Sequence, residues 1–180
     1  MKVAVLLDDG FEELEAMGPI ALLRRAGLEV DLIGVNNKTS VTGRFNVTYS
    51  PCTPLDSYDF SSVDCLVLPG GPHYKKLQEN KVVLGLVRDF YDNKVLAAIC
   101  ASPTILGHMG LLKGKDYTCF KEMNEDFGGT YDYQYVVVDG NLITGVSAAA
   151  SIEFAFTIIE KLCGKEHVEK VKASVYYDAK

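Results

Sequence analysis

Short apolar, β-branched runs alternate with longer amphipathic stretches along this chain, and no other feature restricts its fold as tightly. Such alternation marks a mostly parallel sheet with helices packed on both faces. Lys2–Leu7 is a compact apolar strand that ends in an acidic turn. Phe11–Ala26 follows as a helical stretch with Leu14, Met17, Leu22 and Leu23 spaced for one buried side. Pro19 is expected to kink that helix or start its second half, and Gly27 to cap it. Leu28–Val35 reads as the second strand and Ser40–Ser50 as a β excursion around Gly43. Cys65–Leu68 is a buried strand running into Pro69-Gly70-Gly71-Pro72, Val82–Tyr91 is helical, and Val95–Ile99 is another fully apolar strand. Ser102–Met109 reads as a short helix. Tyr133–Val138 and Leu142–Gly145 form a hairpin turning at Asp139-Gly140-Asn141. Ser151–Leu162 and Glu166–Lys172 read as closing helices.

No linker, repeat or low-complexity tract interrupts this pattern, so residues 1–180 are expected to form a single domain. Eighteen Lys and Arg against 24 Asp and Glu give a net charge of −6, which argues against a nucleic-acid or anionic-membrane partner. No apolar run approaches the ~20 residues of a membrane span. The apolar start meets Asp8-Asp9-Gly10 too soon for a signal peptide. Cys52, Cys65, Cys100, Cys119 and Cys163 form no CxxC pair and no zinc-ligand spacing. An odd count of five without a signal sequence points to reduced thiols and a cytoplasmic location. The three histidines form no metal motif, and neither a metal nor a cofactor is expected.

The informative segment runs from Val95 to Thr104. Five apolar residues form a central strand, and Ser102-Pro103 opens a helix with Ser102 as N-cap and Pro103 at the first helical position. Cys100 therefore falls in a strand-to-helix elbow, where a strained backbone pushes the side chain outward. A helix N-terminus beside it favours a thiolate and predicts a lowered pKa. The alternative reading of Cys100 is one more small buried apolar residue. Ligands of open α/β sheets bind beyond the carboxyl ends of the strands, where this elbow lies. Pro69-Gly70-Gly71 follows a strand at the same end, so the backbone amides of Gly70, Gly71 and Ala101 are candidates for an oxyanion hole.

Asp8-Asp9-Gly10-Phe11-Glu12-Glu13-Leu14-Glu15 brings carboxylates to the same end. A carboxylic acid buried beside a thiolate has its pKa raised by desolvation and like charge, and stays protonated to donate to sulfur. Glu15, just inside the helix, is the best candidate; Glu12 and Glu13 read as complements to a helix N-terminus.

In this order and spacing, Gly10-Phe11-Glu12-Glu13-Leu14-Glu15, Leu68-Pro69-Gly70-Gly71 and Ala98-Ile99-Cys100-Ala101-Ser102-Pro103 resemble the ThiJ/PfpI superfamily. The branch they resemble is that of Parkinson disease protein 7 and its bacterial relatives. Arg24-Arg25-Ala26-Gly27, Ser151-Ile152-Glu153-Phe154-Ala155 and Gly164-Lys165-Glu166 extend the match across the chain. The resemblance implies a flavodoxin-like, doubly wound fold of the glutamine-amidotransferase type, as a homodimer. It also implies a reactive cysteine at Cys100 and a protonated glutamate partner at Glu15. Activities that go with the branch are cofactor-free glyoxalase chemistry on methylglyoxal, deglycation of glycated thiols and amines, redox sensing and chaperone action.

The chain departs from the pattern in two places. Glyoxalase-active members often carry a histidine after the elbow helix, where Tyr117-Thr118-Cys119-Phe120 offers Cys119, and the protease-like branch has one directly after the cysteine, where Ala101 stands. His73, just after the glycine loop, is the candidate histidine for the pocket, the alternative being an ordinary exposed loop histidine. His108 lies ~12 Å further along a helix from Cys100 and His167 sits in the terminal helix, facing solvent. Secondly, Ser147-Ala148-Ala149-Ala150 replaces a Gly-Pro-Gly-Thr-like loop. Three functions follow: an oxoaldehyde-processing enzyme using Cys100 and Glu15, a redox sensor or chaperone working through oxidation of Cys100, and a Cys-dependent amidase or protease. The first takes a small reactive carbonyl, or a glycated thiol or amine, as its substrate.

Overall fold

A computed structural model describes residues 1–177. In chain order the strands are β1 (Lys2–Leu7), β2 (Glu29–Gly34), β3 (Val41–Thr42), β4 (Thr48–Tyr49), β5 (Thr53–Pro54), β6 (Cys65–Leu68), β7 (Val95–Ile99), β8 (Asp116–Tyr117), β9 (Thr130–Tyr131), β10 (Val136–Asp139) and β11 (Leu142–Gly145). The helices are α1 (Glu13–Arg25), α2 (Tyr74–Glu79), α3 (Lys81–Asn93), α4 (Pro103–His108), α5 (Ser151–Cys163) and α6 (Lys165–Ser174).

Seven strands form the central sheet in the order β10-β11-β7-β6-β1-β2-β5, parallel except for β10, which pairs antiparallel with β11. The period-2 alternation of β1 divides two cores. Val3, Val5 and Leu7 pack towards Ile20, Leu23, Phe154 and Ile158 of α1 and α5. Ala4 and Leu6 face the opposite layer, with Leu77, Val83, Val87 and Phe90 of α2 and α3. Both faces of β6 and β7 are covered, which is why Cys65–Leu68 and Val95–Ile99 are uniformly apolar. In register, Val5 lies beside Val67, and Leu68 beside Ala98. The chain therefore leaves β1, β6 and β7 at one edge, through Asp8, Pro69 and Cys100.

Three expectations need correction. The buried side of α1 is Glu15, Ala16, Pro19, Ile20 and Leu23, whereas Leu14 is 62% and Met17 40% exposed and Leu22 is half-buried. Ala16, Ile20 and Leu23 are spaced i, i+4, i+7, the true core stripe, and Leu14 lies across the helix from it. Pro19 does not start a second helix, since one helix runs from Glu13 to Arg25 with Pro19 inside it. The short helix α2 has no sequence counterpart because Leu77 is its sole buried side chain, too little for a period.

Candidate active site at the β7–α4 elbow

Cys100 has φ +65°, the left-handed region that costs a non-glycine residue about 1–2 kcal/mol. Its peptide is held from both sides: its N–H donates to the Gly145 carbonyl (2.8 Å) and its carbonyl accepts from the Phe120 N–H (2.8 Å). Together with the Ser102 N–H on the Ile99 carbonyl (3.1 Å), these bonds over-determine the elbow and absorb the strain. Ser102 occupies the N-cap position, as expected, but its side chain makes no capping hydrogen bond. Its backbone is already helical, and its buried hydroxyl donates to the Pro69 carbonyl at 2.6 Å, tying the elbow to the glycine loop. Pro103 does occupy the first helical position.

Glu15 comes to the sulfur from the first turn of α1 and is 1% exposed. Glu12 is the N-cap, its Oε2 accepting the Glu15 N–H at 2.9 Å, which fixes where that turn begins. Glu15 Oε2 accepts the Gly70 N–H at 2.8 Å, and its carboxyl hydrogen-bonds Cys100. Burial pushes the Glu15 pKa up to about 7; the bond to Cys100 opposes this and the Glu12 charge adds to it. The Cys100 thiol is also pushed up, first by burial and then by the Glu15 charge, while the N–H groups of Ala101 and Gly71 partly oppose the rise. The helix-terminus expectation of a lowered thiol pKa is thus reversed. Desolvation and a neighbouring carboxylate outweigh two N–H donors at a six-residue helix. Two adjacent anions are disfavoured here, so near neutral pH the pair holds a shared proton.

Of the three candidate oxyanion donors, Gly70 is already committed to Glu15, which leaves the N–H groups of Gly71 and Ala101 at the sulfur. The glycines are required by close approach. A Cβ on Gly70 would lie 2.5 Å from Glu15 Oε2 and 2.7 Å from Cys100 Cβ. Gly71 has φ +95°, and a Cβ there would meet the Glu12 nitrogen at 2.5 Å.

His73 does not line the pocket. It is fully buried, with Nδ1 accepting the Asp8 N–H (3.1 Å) and Nε2 donating to the Pro69 carbonyl (2.8 Å). Burial pushes its pKa down to about 4, so the ring stays neutral as a brace between β1 and the glycine loop. Cys119 is likewise fully buried, in the core beneath β8 and α4, and its neighbour Phe120 is the residue that reaches the pocket. His108 is exposed and bonded to Gln78 and Glu125. His167, expected to face solvent, is instead half-buried with Nε2 on the Ala26 carbonyl. Glu13 does more than complement a helix end: its Oε1 accepts the Phe45 N–H (2.7 Å) and fastens the β3–β4 loop to α1. Asp8 is buried between Lys38 and Lys76, with Asn36 on its Oδ2. Ser147–Ala150 leads through a single 3₁₀ turn into α5 and does not reach the pocket wall.

In front of Cys100 opens a pocket of about 330 Å³ walled by Arg44, Tyr74, Lys75, Phe120 and Met123. No sequence spacing links these five, since they come from the β3–β4 loop, the first turn of α2 and the segment after β8. Among the described residues no group of three or more His, Cys, Asp or Glu side chains could hold a metal ion. The site can perform nucleophilic addition by sulfur with proton transfer through Glu15.

A sequence profile of the DJ-1/PfpI family matches residues 1–161. The chain belongs to this family. Protein dj-1beta of Drosophila melanogaster is 37% identical over 172 residues, covering 93% of this chain and 92% of that protein. A crystal structure of Drosophila melanogaster DJ-1beta superposes with a TM-score of 0.90 at 35% identity, covering 97% of each chain. A deglycase of Thermococcus kodakarensis is 35% identical over 149 residues, 80% of this chain and 89% of the relative. The flavodoxin-like fold expected from the motifs is the fold of this DJ-1/PfpI protein.

Proposed function

We propose that this DJ-1/PfpI protein is a cysteine-dependent glyoxalase/deglycase-type enzyme that acts on methylglyoxal or related reactive carbonyls without a cofactor. The observation that carries this reading is the Glu15 carboxyl buried against the Cys100 sulfur. A carboxyl with a pKa of about 7 accepts and returns protons at neutral pH, where general acid–base catalysis works best. Glu15 takes the thiol proton as Sγ adds to the aldehyde carbon. The carbonyl π pair moves to oxygen, which is stabilised by the N–H groups of Gly71 and Ala101 and then receives the proton. The hemithioacetal loses its C1 proton to Glu15 while the C2 oxygen is protonated, giving an enediol. Reprotonation at C2 leaves an S-lactoyl thioester, and water releases lactate and the thiol. C1 is oxidised as C2 is reduced, and one water is consumed, so no external oxidant or reductant enters.

A glycated thiol or amine is a hemithioacetal or aminocarbinol: its C1 hydroxyl gives up a proton as the C1=O bond re-forms, the thiol or amine leaves with a proton, and Cys100 then adds to the released aldehyde; the likeness to a named deglycase supports that arm. The redox-sensor and chaperone readings rested on a low-pKa thiolate, which burial beside Glu15 disfavours. The amidase or protease reading needs an imidazole at Cys100, and both ring nitrogens of His73 are committed to backbone. Purified protein incubated with methylglyoxal is expected to form lactate. Absence of turnover above a Cys100→Ala control overturns the reading.

A further inference from the structure

We infer that the preferred substrate is an α-oxoaldehyde carrying an anionic group, a carboxylate or phosphate ester, held by Arg44 and Lys75 at the pocket mouth. This rests on the oxoaldehyde reading above and names its substrate class. The chain carries a net charge of −6, yet the lining of the pocket includes two cations and no acid, the buried Glu15 carboxyl lying behind Cys100. Neither Arg44 nor Lys75 has a carboxylate partner among the described residues. Arg44 instead rests against the Phe45 ring, 5.0 Å from its centroid, and its charge is felt at Glu15 across the pocket.

The placement of Arg44 is built rather than incidental. Its N–H donates to the Phe11 carbonyl (2.9 Å), and the adjoining Phe45 N–H is held by Glu13 at 2.7 Å. A Cβ on Gly43 would meet the Glu13 carboxyl at 2.4 Å, so the loop lies flat on α1 and presents Arg44 to the site. Lys75 comes from the first turn of α2, a separate element from the β3–β4 loop that carries Arg44. A guanidinium and an ammonium suit planar carboxylate and tetrahedral phosphate oxygens alike.

The test compares methylglyoxal with 4,5-dioxopentanoate, whose product is 2-hydroxyglutarate, and with hydroxypyruvaldehyde phosphate, whose product is a phosphoglycerate. Both conversions are the same one-water isomerisation. The protein is expected to favour at least one anionic substrate by roughly tenfold in kcat/KM over methylglyoxal, an advantage that shrinks with added salt. Arg44→Gln and Lys75→Gln are each expected to lower that advantage several-fold through KM, read within each variant as the ratio of anionic-substrate to methylglyoxal kcat/KM. Which anion gains more separates carboxylate from phosphate. Equal kcat/KM for neutral and anionic substrates, or variants that affect all three alike, overturns the inference. If no oxoaldehyde is turned over at all, the proposed function fails, and the anion site is read separately by protection of Cys100 from iodoacetamide by 2-hydroxyglutarate and by inorganic phosphate. Protection lost in Arg44→Gln and Lys75→Gln sustains the site, and absent or unchanged protection overturns it.

Discussion

At the scale of the residue, the site places an acid where an acid is costly. Glu15 titrates at about 7 in the folded chain and near 4.3 when unfolded. Between those values the folded state keeps a proton that the unfolded state has released, so stability contributed by Glu15 is full below pH ~4.3 and is lost as pH rises through 7. Glu15→Gln removes this loss. The variant is expected to be more stable than wild type at pH 8 by on the order of 3–4 kcal/mol, with the gap closing towards pH 5, as read from denaturant midpoints. A gap that is absent or that widens at low pH contradicts the assignment. His73 works in the opposite sense, its pKa of about 4 lowering stability as pH falls from about 6.5, so the wild-type profile is flatter than either residue alone would give. A residue that stabilises when removed but abolishes activity is the stability–function trade expected of a catalytic acid.

At the scale of the element, the elbow and the glycine loop act as one unit, joined by the Ser102 hydroxyl on the Pro69 carbonyl and by the Gly70 N–H on Glu15. Gly70→Ala would drive a Cβ between Glu15 Oε2 and Cys100 Cβ. It is expected to lower kcat by about a hundredfold or more, the scale of an ångström-sized misplacement, with the protein still folded by circular dichroism. Near-normal turnover would show that the pair does not need its present spacing. Much of this unit was legible in sequence. Val95–Ile99 announces a doubly covered strand, and a cysteine followed by Ser-Pro announces the elbow. The sign of the thiol shift was not legible, because burial by distant residues outweighs a local helix terminus. Nor were the roles of Ser102 and His73, which answer to the Pro69 carbonyl across the sheet edge rather than to their own neighbours. Apolar spacing alone does not find the buried stripe of α1, because Leu14 and Met17 are apolar but outward.

At the scale of the molecule, those outward side chains carry the remaining expectation from the resemblance, the homodimer. Gly18 of α1 lies against Ser151 at the start of α5, so Leu14, Met17 and Ile152 (48% exposed) belong to one neighbouring pair of helices. We propose that this face buries against a second copy. Sedimentation is expected to give a dimer that Leu14→Glu with Met17→Glu converts to a folded monomer; a monomeric wild type refutes it. Among the described residues no helix is long and apolar enough to cross a membrane. The central claim is that Cys100 adds to the carbonyl and Glu15 moves the protons. It is tested most directly by intact-mass and peptide mapping of Glu15→Gln after exposure to methylglyoxal. The account expects no lactate and a Cys100 adduct that forms more slowly than in wild type, because Glu15 takes the thiol proton as sulfur adds and only solvent can do so in its absence. Lactate produced at the wild-type rate by Glu15→Gln, or adducts spread over other cysteines with Cys100 unmodified, would contradict it.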